Sequence, residues 1–374
     1  MKKNKILTLS LVLLAGLSAG SLTSCDEGGT YEYALVTDVG DINDASFNQT
    51  SWEALQEFCQ ENDKTYAYYR PTENSTAARL LSIDQAVQRG AKVIVCPGYL
   101  FEDAVYSAQT TYPEVKFVLI DGTPHPTDST EATIADNTVS IIFQEEIPGF
   151  LAGYAAVMDG NTKLGFCGGM AVPAVQRYGS GFVQGADYAA QQLKTNIEVN
   201  YYYAGAFEAT DAATAMMRTW YTNGTETVFA SGGKVYLSVE EACDASGEGK
   251  TWIGVDVDQS SVDTKVLTSA MKGLRESVIS SLEEYADDKW DGIGGKSYTL
   301  GLNSKFGDLE NRDYVGIPTA ESSWRFETFT LDQYNAILTS IKNGTVTITN
   351  STTEAPTVSS YTTVDYVSSF ATAA

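Results

Sequence analysis

From residue 31 onward, short apolar runs alternate with segments of helical periodicity. Residues 31–37 read as a strand that opens into the acidic, glycine-bearing loop Asp38–Asn48. Residues 46–61 then carry the apolar spacing of a helix. Residues 64–70 are a second strand-like run, and 75–90 a helix with Gly90 as its stop. Residues 91–96 form a nearly continuous apolar strand of the kind that parallel sheets bury on both faces. Another helix begins after Pro97-Gly98, and the strand 115–120 runs straight into Asp121. Such alternation predicts a doubly wound α/β lobe.

The second half repeats the pattern. Strand 138–143 leads into an Ala-rich helix over 144–160, where the chain is expected to cross into a second lobe. Strands at 162–166, 198–203, 227–230 and 251–255 alternate with helices at 178–192, 209–221 and 235–245. Strand 264–269 is expected to return to the first lobe with helix 273–285, and strand 296–302 to recross. Helix 329–342 follows, then a terminal strand near 345–349 and a poorly specified Thr/Ser-rich tail. The predicted architecture is α/β, with two doubly wound, Rossmann-like lobes joined by a multi-strand hinge. Residues 31–145 and 266–292 would form lobe 1, and 146–265 and 293–350 lobe 2, leaving 351–374 as the tail. A chain of 374 residues is long enough for two cores.

The segment before this pattern reads as an address. Lys2, Lys3 and Lys5 precede an apolar stretch over 6–17 that is too short and mixed for a comfortable membrane span. Leu22-Thr23-Ser24-Cys25 resembles the bacterial lipobox, although a plain signal peptide with a nearby cysteine has the same outline. Residues 1–24 are therefore expected to be a cleaved lipoprotein signal, Cys25 the lipidated residue (diacylglycerol plus an acyl chain such as palmitate), and 25–30 a tether. Two or three chains suffice for stable attachment at the extracytoplasmic face of the cell membrane.

Charge narrows the partners. The net charge of −24 becomes −27 once the signal, with three lysines and no acid, is removed. A surface so acidic repels nucleic acid, anionic headgroups and phosphorylated ligands. Of the remaining cysteines, Cys96 and Cys167 sit in apolar strands as buried thiols, and Cys59 and Cys243 complete no CxxC spacing. A single histidine, His125, excludes the usual zinc sites, so neither metal nor cofactor is expected.

Carboxylates recur at predicted strand ends: Asp38, Asp121, Asp256 and Asp258, with Phe47, Tyr99 and Phe207 in neighbouring loops. In open α/β sheets that edge is where ligands bind. Paired carboxylates serve either general acid/base catalysis or acceptance of sugar hydroxyls. No nucleophile–base pair lies nearby, which favours binding over catalysis. Gly168-Gly169 and Gly232-Gly233 follow strands without completing a phosphate-binding motif. Gly179, Gly181 and Gly185 lie inside a helical pattern, where they permit close packing. Lys272 follows an apolar strand and reads equally as a cleft donor or an exposed lysine at a helix start.

These residues carry a resemblance. VTDVGDINDASFNQTSWEAL, VPAVQRYGSGFVQGA, GVDVDQS, VLTSAMKG and YTLGL resemble the basic membrane protein family of substrate-binding lipoproteins, which has the type I periplasmic-binding fold. FQEEIPGFLAGYAAVM resembles the family's crossover, with Ile147 and Pro148 departing from its usual form. The resemblance implies a monomeric receptor, not an enzyme, that delivers a purine nucleoside to an ABC permease. It implies that Phe47 and Phe207 sandwich the base. Asp38 and Asp121 would address the base, Asp256 and Lys272 would hold the ribose, and Gly232 and Gly233 would bring backbone close to the ligand. Asp44 and Asn48 join the set as ligand-binding positions of the first loop. An exported nucleoside or glycoside hydrolase, and a sensing receptor of the same fold, remain alternatives.

Overall fold

The structure, a computed structural model, describes residues 29–371. The expected signal peptide, the lipidation site Cys25 and most of the tether lie outside the described residues. The first lobe opens with β1 (Tyr33–Val36), α1 (Phe47–Glu61), β2 (Tyr66–Tyr69), α2 (Thr76–Gln88), β3 (Val93–Pro97), α3 (Glu102–Thr111), β4 (Lys116–Ile120) and β5 (Thr138–Phe143). The chain then enters the second lobe with α4 (Glu146–Met158), β6 (Lys163–Gly168), α5 (Pro173–Leu193), β7 (Ile197–Tyr203) and α6 (Asp211–Thr222). It continues there through β8 (Thr227–Ser231), α7 (Val235–Ala245), β9 (Thr251–Asp256) and β10 (Val266–Lys272). Then α8 (Leu274–Ala286) and β11 (Lys296–Leu300) return to the first lobe. The second lobe is completed by β12 (Val315–Gly316), α9 (Leu331–Lys342) and β13 (Thr362–Tyr366).

Among the described residues the first sheet runs β11-β5-β4-β3-β1-β2 and the second β12-β10-β9-β8-β6-β7-β13. Every pairing is parallel except β10 with β12. These are two α/β lobes joined by a multi-strand hinge, crossed after β5, after β10 and between β11 and β12. The periodicity has its expected physical outcome. On α1 the spacing of Trp52, Leu55, Phe58 and Cys59 buries one face, and every residue of β3 is buried.

Four expectations need correction. The strand predicted at 264–269 does not return to the first lobe: β10 pairs with β9, and the chain recrosses only after it, with α8 packing against α1. Nor does 296–302 move to the second lobe, because β11 pairs with β5. An apolar run states that a strand is buried, not which of two similar sheets receives it. No strand forms at 345–349, where the Thr349 backbone instead bonds the Gln184 side chain. Finally, the tail is not poorly specified, since β13 adds a seventh strand beside β7.

The second lobe is held to the hinge by a close helix pair. A Cβ on Gly181 would lie 2.1 Å from the Glu146 carbonyl oxygen, and one on Gly185 1.9 Å from that of Phe150. The glycines of α5 thus let it rest directly on the backbone of α4, as their spacing predicts. Cys59, Cys96, Cys167 and Cys243 are all buried free thiols.

Candidate functional site

Between the lobes lies a cleft of about 710 Å³, counting the part of it open to solvent. All ten sequence-predicted positions line it: Asp38, Asp44, Phe47, Asn48, Asp121, Phe207, Gly232, Gly233, Asp256 and Lys272. Tyr99 also lines it, whereas Asp258 does not and instead accepts from Ser260 N at 3.0 Å in a turn.

The first-lobe wall is the loop after β1, and its carboxylates fold it. Asp44 Oδ1 accepts from Ser46 N at 2.9 Å and Gln49 N at 3.0 Å, while Oδ2 accepts from Asn48 N at 3.0 Å and its Nδ2 at 3.2 Å. Asp44 is thereby an acceptor for the free N–H groups that start α1. Both of its oxygens are occupied by the protein, and what they fix is the start of α1 with Phe47 and Asn48. Asp38 Oδ1 accepts from Gly40 N at 2.8 Å and Asn48 Nδ2 at 3.1 Å. Burial pushes both carboxyls upward, Asp44 to about 6. Asn48 Oδ1 is buried without a protein partner.

The floor is a charge cluster at the hinge. Asp121, just after β4, and Asp256, at the end of β9, have left-handed backbone with φ of 60° and 68°, a conformation aspartate tolerates better than most residues. The ammonium of Lys272 bonds Asp121 Oδ2 and lies 3.3 Å from Asp256 Oδ1 and 3.6 Å from Glu145 Oε1. It is also 4.7 Å from the centroid of the Phe47 ring, within cation–π range. Asp256 further accepts from Ser46 Oγ at 2.7 Å and Tyr178 OH at 3.3 Å. Glu145, fully buried, accepts from Arg177 Nε at 2.6 Å. Burial opposes the charge on Lys272, but Asp121, Asp256 and Glu145 outweigh it and raise its affinity for a proton. Asp121 is pushed up to about 7 by burial, against the pull of Lys272 and helped by Glu145 and Asp256. Its Oδ1 is buried with no protein hydrogen bond. Such a floor is built to receive O–H or N–H donors, because unpartnered buried acceptors are costly.

The second-lobe wall is Phe207, seated on glycine. A Cβ on Gly169 would stand 2.5 Å from the ring, and one on Gly233 2.8 Å from the Phe207 carbonyl oxygen. Gly232 and Gly233 have φ of +132° and +50°. These glycines thus seat the aromatic wall. The walls meet directly: Lys234 Nζ lies 2.7 Å from Asp41 Oδ2, and Gln259 Nε2 donates to the Ala45 carbonyl at 3.0 Å.

Residues 32–352 match the family model described as ABC transporter substrate-binding protein PnrA-like. The chain belongs to this family. It is an ABC-importer substrate-binding protein of the type I periplasmic-binding fold. It is similar to the ABC transporter nucleoside-binding protein BmpA of Lactococcus lactis subsp. cremoris, at 30% identity over 82% of this chain and 91% of that protein. It is also similar to basic membrane protein B of Borreliella afzelii, at 29% identity over 73% and 79% of the two chains. Among solved structures, an ABC transporter solute-binding protein from Aeropyrum pernix K1 superposes with a TM-score of 0.66 at 22% identity, over 84% and 86% of the two chains. AraP, an arabinose-binding protein of Geobacillus stearothermophilus, gives 0.55 at 13% identity over 80% and 99%. At those identities the likeness is of fold alone.

Tyr178 also lines the cavity, and Ser46, Glu145 and Arg177 buttress its charge cluster from behind; the sequence alone did not single out these four. Glu145 did leave a signal: Glu145-Glu146 heads a helix that is otherwise almost wholly buried. Arg177 and Tyr178 lie inside a quoted motif, yet only the approach of α5 to the hinge gives them partners.

Proposed function

We propose that this protein binds a neutral nucleoside, purine in type, between its lobes and delivers it to an ABC permease without chemically altering it. The observation that carries this reading is one cavity joining two phenyl rings on opposite walls to a buried carboxylate–lysine floor. Flat faces suit an aromatic base, and acceptors beside the Lys272 ammonium suit vicinal hydroxyls. Three buried carboxylates against Lys272 and Arg177 disfavour a phosphate, so the nucleoside is preferred over the nucleotide. The similarity to the nucleoside-binding protein of Lactococcus lactis supports the same class. Closure by hinge motion would present the loaded form to the permease. The mature protein would act as a monomer held to the membrane through lipid on Cys25.

Calorimetry with adenosine, guanosine and inosine tests the ligand class. Phe47→Ala should weaken the binding of whichever nucleoside is taken by about 1–3 kcal/mol while leaving the unfolding midpoint near that of the parent. Unchanged affinity would remove the stacking role. Chromatography of each nucleoside after incubation should return it intact, and release of free base would establish a hydrolase instead.

A further inference from the structure

The match to the family model ends at residue 352, and the segment beyond it is built into the second lobe. β13 pairs in parallel with β7 from Thr362 opposite Ile197 to Tyr366 opposite Tyr201. After it, Ser368 Oγ accepts from Tyr203 N at 3.2 Å, and the buried ring of Phe370 lies 5.8 Å from that of Tyr201.

The same segment is stitched to one face of α5. Gln184 exchanges hydrogen bonds with the Thr349 backbone, accepting at 2.9 Å and donating at 2.8 Å. Asp187 Oδ1 accepts from Ser359 N at 3.0 Å and Ser359 Oγ at 2.7 Å. Gln176 Nε2 donates to the Phe370 carbonyl at 3.2 Å. Positions 176, 184 and 187 share one helical face, and Gln176 and Asp187 are buried although polar. A buried amide or carboxylate there is stable only with a partner, and the C-terminal segment supplies it.

What this face holds in place is the wall of the cleft. The helix start at Val172 has no side-chain cap; Pro173 presets its backbone angle, but no loop side chain ties the first turn of α5 down. Val175 of that turn and Tyr178 of the next line the cavity, and Tyr178 OH reaches Asp256 Oδ1 at 3.3 Å. A Cβ at Gly179 would fall 2.1 Å from Tyr201 OH, so the Tyr201 ring that packs on Phe370 also abuts α5 beside Tyr178.

We propose that residues 349–371 form a strap that sets the first turn of α5, and through it Val175 and Tyr178, for the ligand. Gln176 and Phe370 are its positioning residues. The proposal rests on the cleft being the nucleoside site, but its mechanical part is measurable without ligand.

The test uses the full mature chain, its Gln176→Ala and Gln176→Glu variants, and a chain ending at residue 352. Amide hydrogen exchange is followed over residues 174–178 without ligand, with nucleoside calorimetry and denaturant unfolding alongside. Gln176→Ala should speed exchange in that turn and raise Kd roughly three- to tenfold, the weight of one buried hydrogen bond, with the unfolding midpoint lowered modestly but the chain fully folded under the binding conditions. Gln176→Glu lacks the donor at pH 8 and regains one when protonated near pH 5, so its affinity relative to the parent should recover on acidification. The shortened chain should show the larger loss, and if it does not fold, the point variants decide. Parent-like exchange and affinity in Gln176→Ala would overturn the strap, as would an affinity loss that only tracks global unfolding. If the parent binds no nucleoside, the functional reading falls and exchange alone decides: a quickened turn upholds the strap and an unchanged one ends it.

Discussion

The two walls of the cleft are made by different means. The first-lobe wall is a short loop folded by its own side chains, with Asp44 and Asp38 collecting N–H groups two to ten residues away. The second-lobe wall has no such local frame. Phe207 rests on glycines 25 to 38 residues distant in sequence, and Tyr178 stands on a helix whose start is uncapped and whose flank is held by the C-terminal segment. Locally stapled loops are preorganised, whereas a wall assembled from distant parts is only as firm as its packing. The hinge cluster around Lys272 joins the two, and it is where the comparison is most easily broken.

Replacing Lys272 by Met should have the largest effect. It leaves Asp121, Asp256 and Glu145 facing one another with Arg177 as the remaining cation, at a cost of about 3–5 kcal/mol. Denaturant unfolding and calorimetry should show both stability and binding falling. A stable variant with intact affinity would mean that the walls do not depend on this joint.

Next comes the second wall. Gly232→Ala imposes a side chain at φ +132° and brings a Cβ within 3.0 Å of the Phe207 ring, costing about 1–3 kcal/mol. Its affinity should fall more than that of a variant in the first loop of equal stability.

That first-loop variant is Asp44→Ala. Loss of the acceptor at the start of α1 should cost about 1–2 kcal/mol, with quickened exchange at Phe47 and Asn48. Equal disturbance of Phe207 in this variant would erase the distinction between the walls.

The smallest signal is pH. Burial raises Asp44 to about 6 and Asp121 and Glu146 to about 7, against an ordinary carboxylate near ~4 in the unfolded chain. Between those values the native state holds more protons than the unfolded one, so stability falls as pH rises through the folded values. Thermal midpoints should therefore rise on acidification from pH 8 to 5. Glu145, which burial pushes up but Arg177 and Lys272 hold below its ordinary range, stays ionised across this interval, so a falling midpoint would show that the raised carboxyls do not hold their protons in the folded chain.

What the sequence determined by itself is what short-range physics decides. Alternating periodicity was enough for the doubly wound lobes, and acidic and aromatic residues at strand ends were enough to mark Asp38, Phe47, Tyr99, Asp121, Phe207 and Asp256, which the fold gathers around one cavity. Gly232, Gly233 and a cleft role for Lys272 came from the family resemblance. Asp44, Phe47 and Asn48 lie within one loop, so their proximity was never in question. Tertiary structure alone decided the rest. β10 and β11 were legible as strands, but two lobes of the same construction offer equal burial, and only side-chain fit selects a sheet. Glu145 and Arg177 acquire meaning from a contact across 32 residues of chain. The Thr/Ser-rich tail carries little apolar signal, because an edge strand draws its order from the ladder of β7 and from polar partners on α5 rather than from its own hydrophobicity.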